Sequence, residues 1–450
     1  MHNEINPLDY LNENLGSYDP FSLRIMINKT YSENIEESSG LDSFNKRDFA
    51  TLFHEFTHQL QNTSSIVGFQ QFNAIVSIWH NTRNISYDPN DKESAILRQE
   101  SQRILQGYPC NKKDEPQKRG LLDIISIENL EDILKQKYTK KKLKITYSYN
   151  KSSFELSFGI GEFYESCAEI FERFFCRKIK LYDNFFESNS IPYKIGESIA
   201  KKFYPECSDY CLIVLMLTAL QHASPHQIFI FLVHAYGVLK LDEKTVREQC
   251  KDHVETLIKI NKEWINKTGD VIENGFPFDD PYLGDVIKFF NLTIKNNLKK
   301  RIEHPFLELD FLMTIDEYNY KEKIESIIKN SGGSIIYAKD QSGNSLCDVE
   351  KIVIGDYTSI YHNQKAWLTF IISIFLTMRN SKTISITETD HFERYKCPAF
   401  LYCNHKNKTI NAAFCEATPY KYPVAIEGAD NCAHQLALYK TDLRNNNNNK

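Results

Sequence analysis

A basic opening and an apolar run, the marks of a secretory leader, are missing from the first residues, MHNEINPLDYLNENLG, so no export by that route and a cytoplasmic protein are expected. It also lacks an apolar stretch near the roughly 20 residues that a bilayer-crossing helix needs. The longest runs are Cys211 to Leu220 and Ala366 to Met378, and Gln221, His222 and Pro225 close the first. Buried helices are expected there, and no membrane partner. An excess of positive charge is missing too, since the formal net charge is -5, so nothing electrostatic favours a nucleic-acid partner. There is no Gly-rich phosphate loop, because Gly159-x-Gly161 is too short a pattern and precedes Glu162, whose charge repels phosphate. Paired cysteines are not implied by 11 Cys, an odd number, and reduced thiols are expected instead of a disulfide framework. No internal repeat is present.

What the chain does have is length and apolar material. Its 450 residues, 42% hydrophobic and 25% charged, suffice for two or three domains with sizeable cores. Alternation over Ser22 to Thr30 predicts a strand. Asn45 stands where an N-cap would, with Asp48 three positions on and Phe44 and Phe49 placed as a hydrophobic staple. Phe49, Leu52, Phe53, Phe56 and Leu60 recur at three- and four-residue spacing, predicting a helix to about Asn62 with that face inward. Further helices are expected over Ile66 to His80, Ser94 to Gln106, Ile127 to Lys137 and Gly161 to Lys178. A hairpin is expected from Lys144 to Tyr149 and Phe154 to Phe158. Leu181 to Tyr320 reads as mainly helical, and Gly332 to Thr358 as strands with turns at Gly332-Gly333 and Ser342-Gly343. The resulting fold class is α+β, with a mainly helical domain carrying a small sheet over residues 1–180, a helical region over 181–330, a small α+β domain over 331–440 and a disordered Asn-rich tail over 441–450.

The segment His54-Glu55-Phe56-Thr57-His58 fits the pattern HExxH. Residues four apart on a helix share one face, about 5 to 6 Å apart, so two imidazoles can bind one Zn²⁺. Glu55 is then free to act as general base on a water beside the metal. With 13 His in the chain, chance supplies on the order of 0.02 such matches, and this one falls within an independently signalled helix. A catalytic zinc needs a third protein ligand. Gln61 and Ser64 stand at the glycine and third-histidine positions of HExxHxxGxxH and exclude that extension. In GEFYESCAEIFERFF, Glu162, Glu165, Glu169 and Glu172 lie at spacings of three, four and three, on one helical face. A solvated acidic stripe is the plain alternative. Glu165 is expected as the ligand and Glu169 as the acceptor that orients a histidine N–H; Glu162 and Glu169 stay open as alternative third ligands.

With HEFTH on one helix and GxxxExxAE, Gly161 to Glu169, on a later one, residues 20–180 resemble the gluzincin group of zinc metallopeptidases. HEFTHQLQNTSSIVG is also similar to poorly characterised bacterial proteins carrying HExxHxxQ. The chain departs from the gluzincins in the length between the two motifs and in having Glu169 where that group has Asp. The resemblance implies a zincin-like catalytic domain, a Zn²⁺ cofactor held by His54, His58 and Glu165, and hydrolysis of peptide bonds in a cytosolic protein or peptide substrate with Glu55 as base. The alternatives are a catalytically silent zinc-containing binding or regulatory protein and a zinc amidase acting on a small molecule. The large remainder of the chain points to a regulatory protein partner.

Oxyanion stabilisation calls for a His or Tyr across the cleft; His80, Tyr147, Tyr149, His222 and His226 are candidates, each also readable as structural. Cys397, Cys403, His405, Cys415, Cys432 and His434 could form a second, structural zinc site, though their spacing matches no common finger and free Cys is often simply buried. Cys207 and Cys211, one turn apart, read as core. The six lysines of Lys135 to Lys144 read as a solvated loop before a strand.

Overall fold

The computed structural model describes residues 16–19, 24–29, 40–87, 90–105, 120–139, 141–149, 152–181, 190–275, 284–340, 349–355, 397 and 412–417. They form a mixed α+β structure in which helix predominates. The chain divides into two compact units, one of residues 1–71, 107–266 and 292–357, the other of 72–106, 267–291 and 358–450. Among the described residues no helix is long and apolar enough to cross a membrane.

In the first unit, β1 (Gly16–Asp19), β2 (Arg24–Lys29), β6 (Ser334–Asp340) and β7 (Val349–Ile354) form one sheet in the order β1-β2-β6-β7. The β2–β6 pair is parallel and the other two are antiparallel. Register sets Ile25 opposite Ile336 and Ile27 opposite Ala338. All four are buried, as period-two alternation requires of one sheet face. The division expected at residue 330 thus falls inside this unit: β6 follows α13 (Tyr320–Asn330) directly and pairs with a strand from the start of the chain. The turn expected at Ser342-Gly343, the tail 441–450 and most of 331–440 lie outside the described residues.

The motif helix α1 (Lys46–Thr63) begins as its sequence dictates. The Asn45 side chain accepts from the amides of Arg47 (2.8 Å) and Asp48 (3.0 Å), and Asp48 Oδ2 accepts from Asn45 N (3.1 Å). Phe44 and Phe49 close the staple edge to face at 5.7 Å. Burial exceeds expectation: the apolar stripe is packed, but so are Thr51, Gln59, Gln61, Asn62 and Thr63 on the other faces. Each such polar group needs a partner inside the protein. Gln59 Nε2 donates to Gly333 O (2.6 Å), the Thr63 hydroxyl to Gln59 O (2.8 Å) and the Thr57 hydroxyl to Phe53 O (2.8 Å).

The C-terminus of α1 is held by a buried cation. Arg301, on α11 (Gly284–Glu303), donates from Nε to Ser64 O (2.5 Å), from Nη2 to Ser64 Oγ (2.5 Å) and from Nη1 to Pro305 O (3.0 Å). Its charge is met by Glu308 on α12 (Leu307–Met313), and the two side chains are only 2% and 3% exposed. A cation at a helix C-terminus opposes the negative end of the macrodipole.

The hairpin β4 (Leu143–Tyr149) and β5 (Ser152–Phe158) forms as expected and is joined by an antiparallel β3 (Asp123–Ile127). The helix expected over Ile127 to Lys137 shrinks to α4 (Leu130–Leu134). A register shift between Ile124 and Ser126 breaks the alternation of β3, so Ile124 and Ile127 are the buried positions. Such a bulge hides the period-two signal. From β5 the chain enters α5 (Ile160–Lys178), then the short α6 (Ser190–Tyr193), α7 (Ile195–Phe203), α8 (Asp209–Ala219), α9 (Pro225–Leu239) and α10 (Glu243–Gly275). α5 lies alongside α1, with Phe53 stacked on Phe175 at 5.0 Å. Ser166, whose small side chain permits close packing, donates to Pro192 O (2.9 Å) and accepts from Gly196 N (3.1 Å).

The second unit contains the later part of α2 (Ile66–Tyr87), longer than expected, with α3 (Lys92–Leu105), parts of α10 and α11, and α14 (Ala412–Ala417). Ser101 donates to Ser77 Oγ (2.8 Å) and Asn84 to Ser94 Oγ (3.2 Å), tying α2 to α3.

Arg301→Met should lower the free energy of unfolding by about 3–5 kcal/mol, because it strands the buried Glu308 carboxylate. Arg301→Met/Glu308→Leu should recover most of that loss in urea titrations; a double variant no more stable than the single one would contradict this account.

Candidate metal centre

α1 and α5 each contribute one row of side chains to the space between them. His54 and His58, one turn apart, set their Nε2 atoms on the same carboxylate: both lie 3.6 Å from Glu165 Oε2. One ligand atom from each of the three residues can be chosen so that all lie within 4.8 Å of one another. Two ligands bound to one ion at about 2.0–2.1 Å with tetrahedral angles are about 3.3 Å apart, so the two nitrogen-to-carboxylate separations of 3.6 Å are within a few tenths of an ångström of that requirement.

The outer nitrogens are fixed by acceptors. His54 Nδ1 is 2.8 Å from Glu172 Oε2, and His58 Nδ1 is 2.9 Å from Gln61 Oε1. The Gln61 amide is oriented in turn, since its Nε2 donates to Tyr164 O (3.1 Å) on α5. An acceptor at Nδ1 puts the proton there and leaves the Nε2 lone pair pointing at Glu165, the tautomer a metal ligand needs. The role expected of Glu169 therefore belongs to Glu172. Glu169 faces away: it pairs with Lys194 and Arg173, and burial pushes its carboxyl above the usual range against the pull of both cations. Glu162 is also elsewhere, accepting from Gly159 N (2.9 Å) and pairing with Lys142 (2.7 Å). At 100° per residue, Glu172 lies about 20° from Glu165 around the helix, while Glu169 and Glu162 lie about 40° and 60° to the other side. The seven-residue spacing of Glu165 and Glu172 carried that signal, as the three-residue spacing of His58 and Gln61 did for the amide.

Three carboxylates, Glu55, Glu165 and Glu172, act on His54. Its burial works against a charge, but those neighbours outweigh it and hold its pKa well above 6.5. In the metal-free protein these carboxylates therefore favour a proton on His54. Two neutral imidazoles among three carboxylates leave a net negative, largely dry groove that a dication satisfies, and the N,N,O donor set suits Zn²⁺.

Glu55 is buried on α1 beneath β1, where a Cβ on Gly16 would come within 3.0 Å of Glu55 Cγ, 3.1 Å of Glu55 Oε1 and 2.7 Å of Thr51 Cγ2. Two tyrosines missed by sequence reasoning flank the imidazoles: Tyr18 on β1 is stacked beside His58 at 6.4 Å, and Tyr193 meets His54 edge to face at 6.1 Å. They come from distant segments, so no local spacing marks them. The expected oxyanion candidates are engaged differently. Tyr147 is buried on Phe154 (5.7 Å), and His226 donates from Nε2 to Lys141 O (3.0 Å) with its pKa lowered by burial to about 4. His222 faces His253, His80 accepts from Asn84 (3.3 Å), and Tyr149 ends β4. Cys207 and Cys211 are buried as expected. Of the C-terminal Cys/His set, Cys397 N donates to Cys415 O (2.7 Å); Cys403, His405, Cys432 and His434 lie outside the described residues.

Glu172→Ala should weaken zinc binding about 10- to 100-fold in chelator competition, whereas Glu169→Gln should leave it unchanged. Because the carboxylates around His54 raise its pKa and favour its protonated ring, zinc loading near neutral pH should release protons and weaken as pH falls; calorimetry in buffers of different ionisation enthalpy reads the number released. The chain matches no known protein family, no curated protein and no solved structure, so these assignments stand on the geometry of the groove alone.

Proposed function

We propose that the chain is a zinc-dependent metallopeptidase with a zincin-like catalytic unit, in which His54, His58 and Glu165 hold Zn²⁺. The observation that carries this reading is the convergence of both Nε2 atoms on Glu165 at 3.6 Å while both Nδ1 atoms are occupied by acceptors. A helix packed for structure alone has no reason to pay attention to tautomer on two adjacent imidazoles.

A bound zinc would supply Lewis acidity, polarising a substrate carbonyl and acidifying a water. Glu55 takes the proton of the attacking water as general base and later delivers it to the leaving amine. Glu172 and Gln61 keep the imidazoles in the binding tautomer, and Tyr18 and Tyr193 wall the groove. A peptide is favoured over a small amide by β1. Among the described residues it is an edge strand, paired only with β2, and it runs past both Glu55 and His58. An extended substrate can add to such an edge through main-chain hydrogen bonds.

Glu55→Gln should keep about one zinc per chain and lose cleavage by about 10²- to 10⁴-fold; comparing the proteomes of cells carrying wild type and Glu55→Gln would identify the substrate. Zinc retained with an unchanged cellular effect would instead favour a binding or regulatory protein, and turnover of small amides alone an amidase. Gly16→Ala should reduce turnover with zinc content unchanged, because its methyl would crowd Glu55 and Thr51, its nearest neighbours, neither of which is among the proposed ligands.

A further inference from the structure

The α8–α9 turn and α10 hold a second pair of facing imidazoles that the proposed catalysis does not use. His222 Nε2 and His253 Nε2 are 2.9 Å apart, with the rings 25° from parallel and their centroids 5.1 Å apart. That centroid separation equals the 5.1 Å between His54 and His58. We infer that His222 and His253 form a metal site of their own, for a divalent transition ion of the imidazole-preferring series, with zinc as the reference ion.

Without an ion, one Nε2–H donates to the other Nε2. Binding replaces that hydrogen bond: the bridging proton moves through solvent to Nδ1 of the same ring, so both rings stay neutral and both Nε2 lone pairs face the ion. Two ligands on one tetrahedral ion lie about 3.3 Å apart, so the pair opens by only about 0.4 Å. His222 is partly exposed and His253 exposed, which gives the ion a path from solvent and lets water complete its coordination. With two protein ligands the site is weaker than the one between α1 and α5.

Its position gives it a consequence. Leu220 O accepts from Val67 N (3.3 Å) and Gln221 Oε1 from Ile66 N (3.3 Å), so the turn carrying His222 also grips the start of α2, just beyond the C-terminus of α1. An ion on His222 and His253 staples α10 to that grip.

The full-length protein titrated with zinc should bind two ions, one tight and one weaker, with a rise in melting temperature on filling the second. His253→Gln and His222→Gln, both at surface-accessible positions, should each weaken the second ion at least tenfold, abolish its thermal shift and leave the tight ion in place. His54→Ala should do the reverse, so failure at either site is read independently of the other. Zinc stoichiometry and thermal shift unchanged in both glutamine variants, or a single ion bound by wild type in excess zinc, would overturn the inference.

Discussion

The structure turns on an electrostatic imbalance between two adjacent helices. α1 brings His54, Glu55 and His58 to a groove into which α5 sends Glu165 and Glu172, so negative groups outnumber neutral ligands in a largely buried place. Burying an uncompensated charge is costly. A cation would balance the groove, and in its absence a proton does, which is why the pKa of His54 is raised well above the usual histidine range. Metal loading, on the proposed reading, and proton release would be two sides of one constraint.

Keeping that groove in register requires rigid helices, and charge is used for that as well. On the far side of the α5 stripe, Glu169 is matched by Lys194 and Arg173, and Arg173 continues to Glu197 (2.7 Å) and Asp209 (3.1 Å), linking α5 to α7 and α8. At the end of α1, Arg301 and Glu308 fix the carbonyl of Ser64. Ser64 stands where the extended HExxHxxGxxH pattern would place a third histidine. Here that position is structural, and the carboxylate that faces both imidazoles comes across from α5. Side chains locked by packing and by partners hold a site to the fraction of an ångström that catalysis needs.

What the sequence revealed follows the range of the forces involved. The start of α1 was legible to the residue because Asn45, Asp48, Phe44 and Phe49 interact within one turn. The β4–β5 hairpin and α5 were legible for the same reason. β3 was not, because its bulge erases the alternation, and the full burial of α1 was not, because what covers its polar side comes from remote segments, as Gly333 does for Gln59 and Tyr164 for Gln61. At the site, HExxH marked three residues, while the choice between Glu169 and Glu172 rested on a rotation of about 60° that only the packing of α5 on α1 decides. Tyr18, Tyr193 and Gly16 had no local signature at all. The parallel β2–β6 pair, which carries residues 334–340 back to the N-terminal strands, is likewise a product of the assembled fold.

That dependence on assembly has a thermodynamic consequence for the metal. His54 and His58 are presented together by one helix, but Glu165 and Glu172 reach them only when α5 has docked, and Glu55 is covered only when β1 lies on α1. An unfolded chain offers at most the local pair. On the proposed reading, the free energy by which zinc prefers three converged ligands to two would be available only to the folded state, and it would act on the α1–α5 pairing itself. The like-charged carboxylates that would push the two helices apart without a cation would become the groups that draw them together with one.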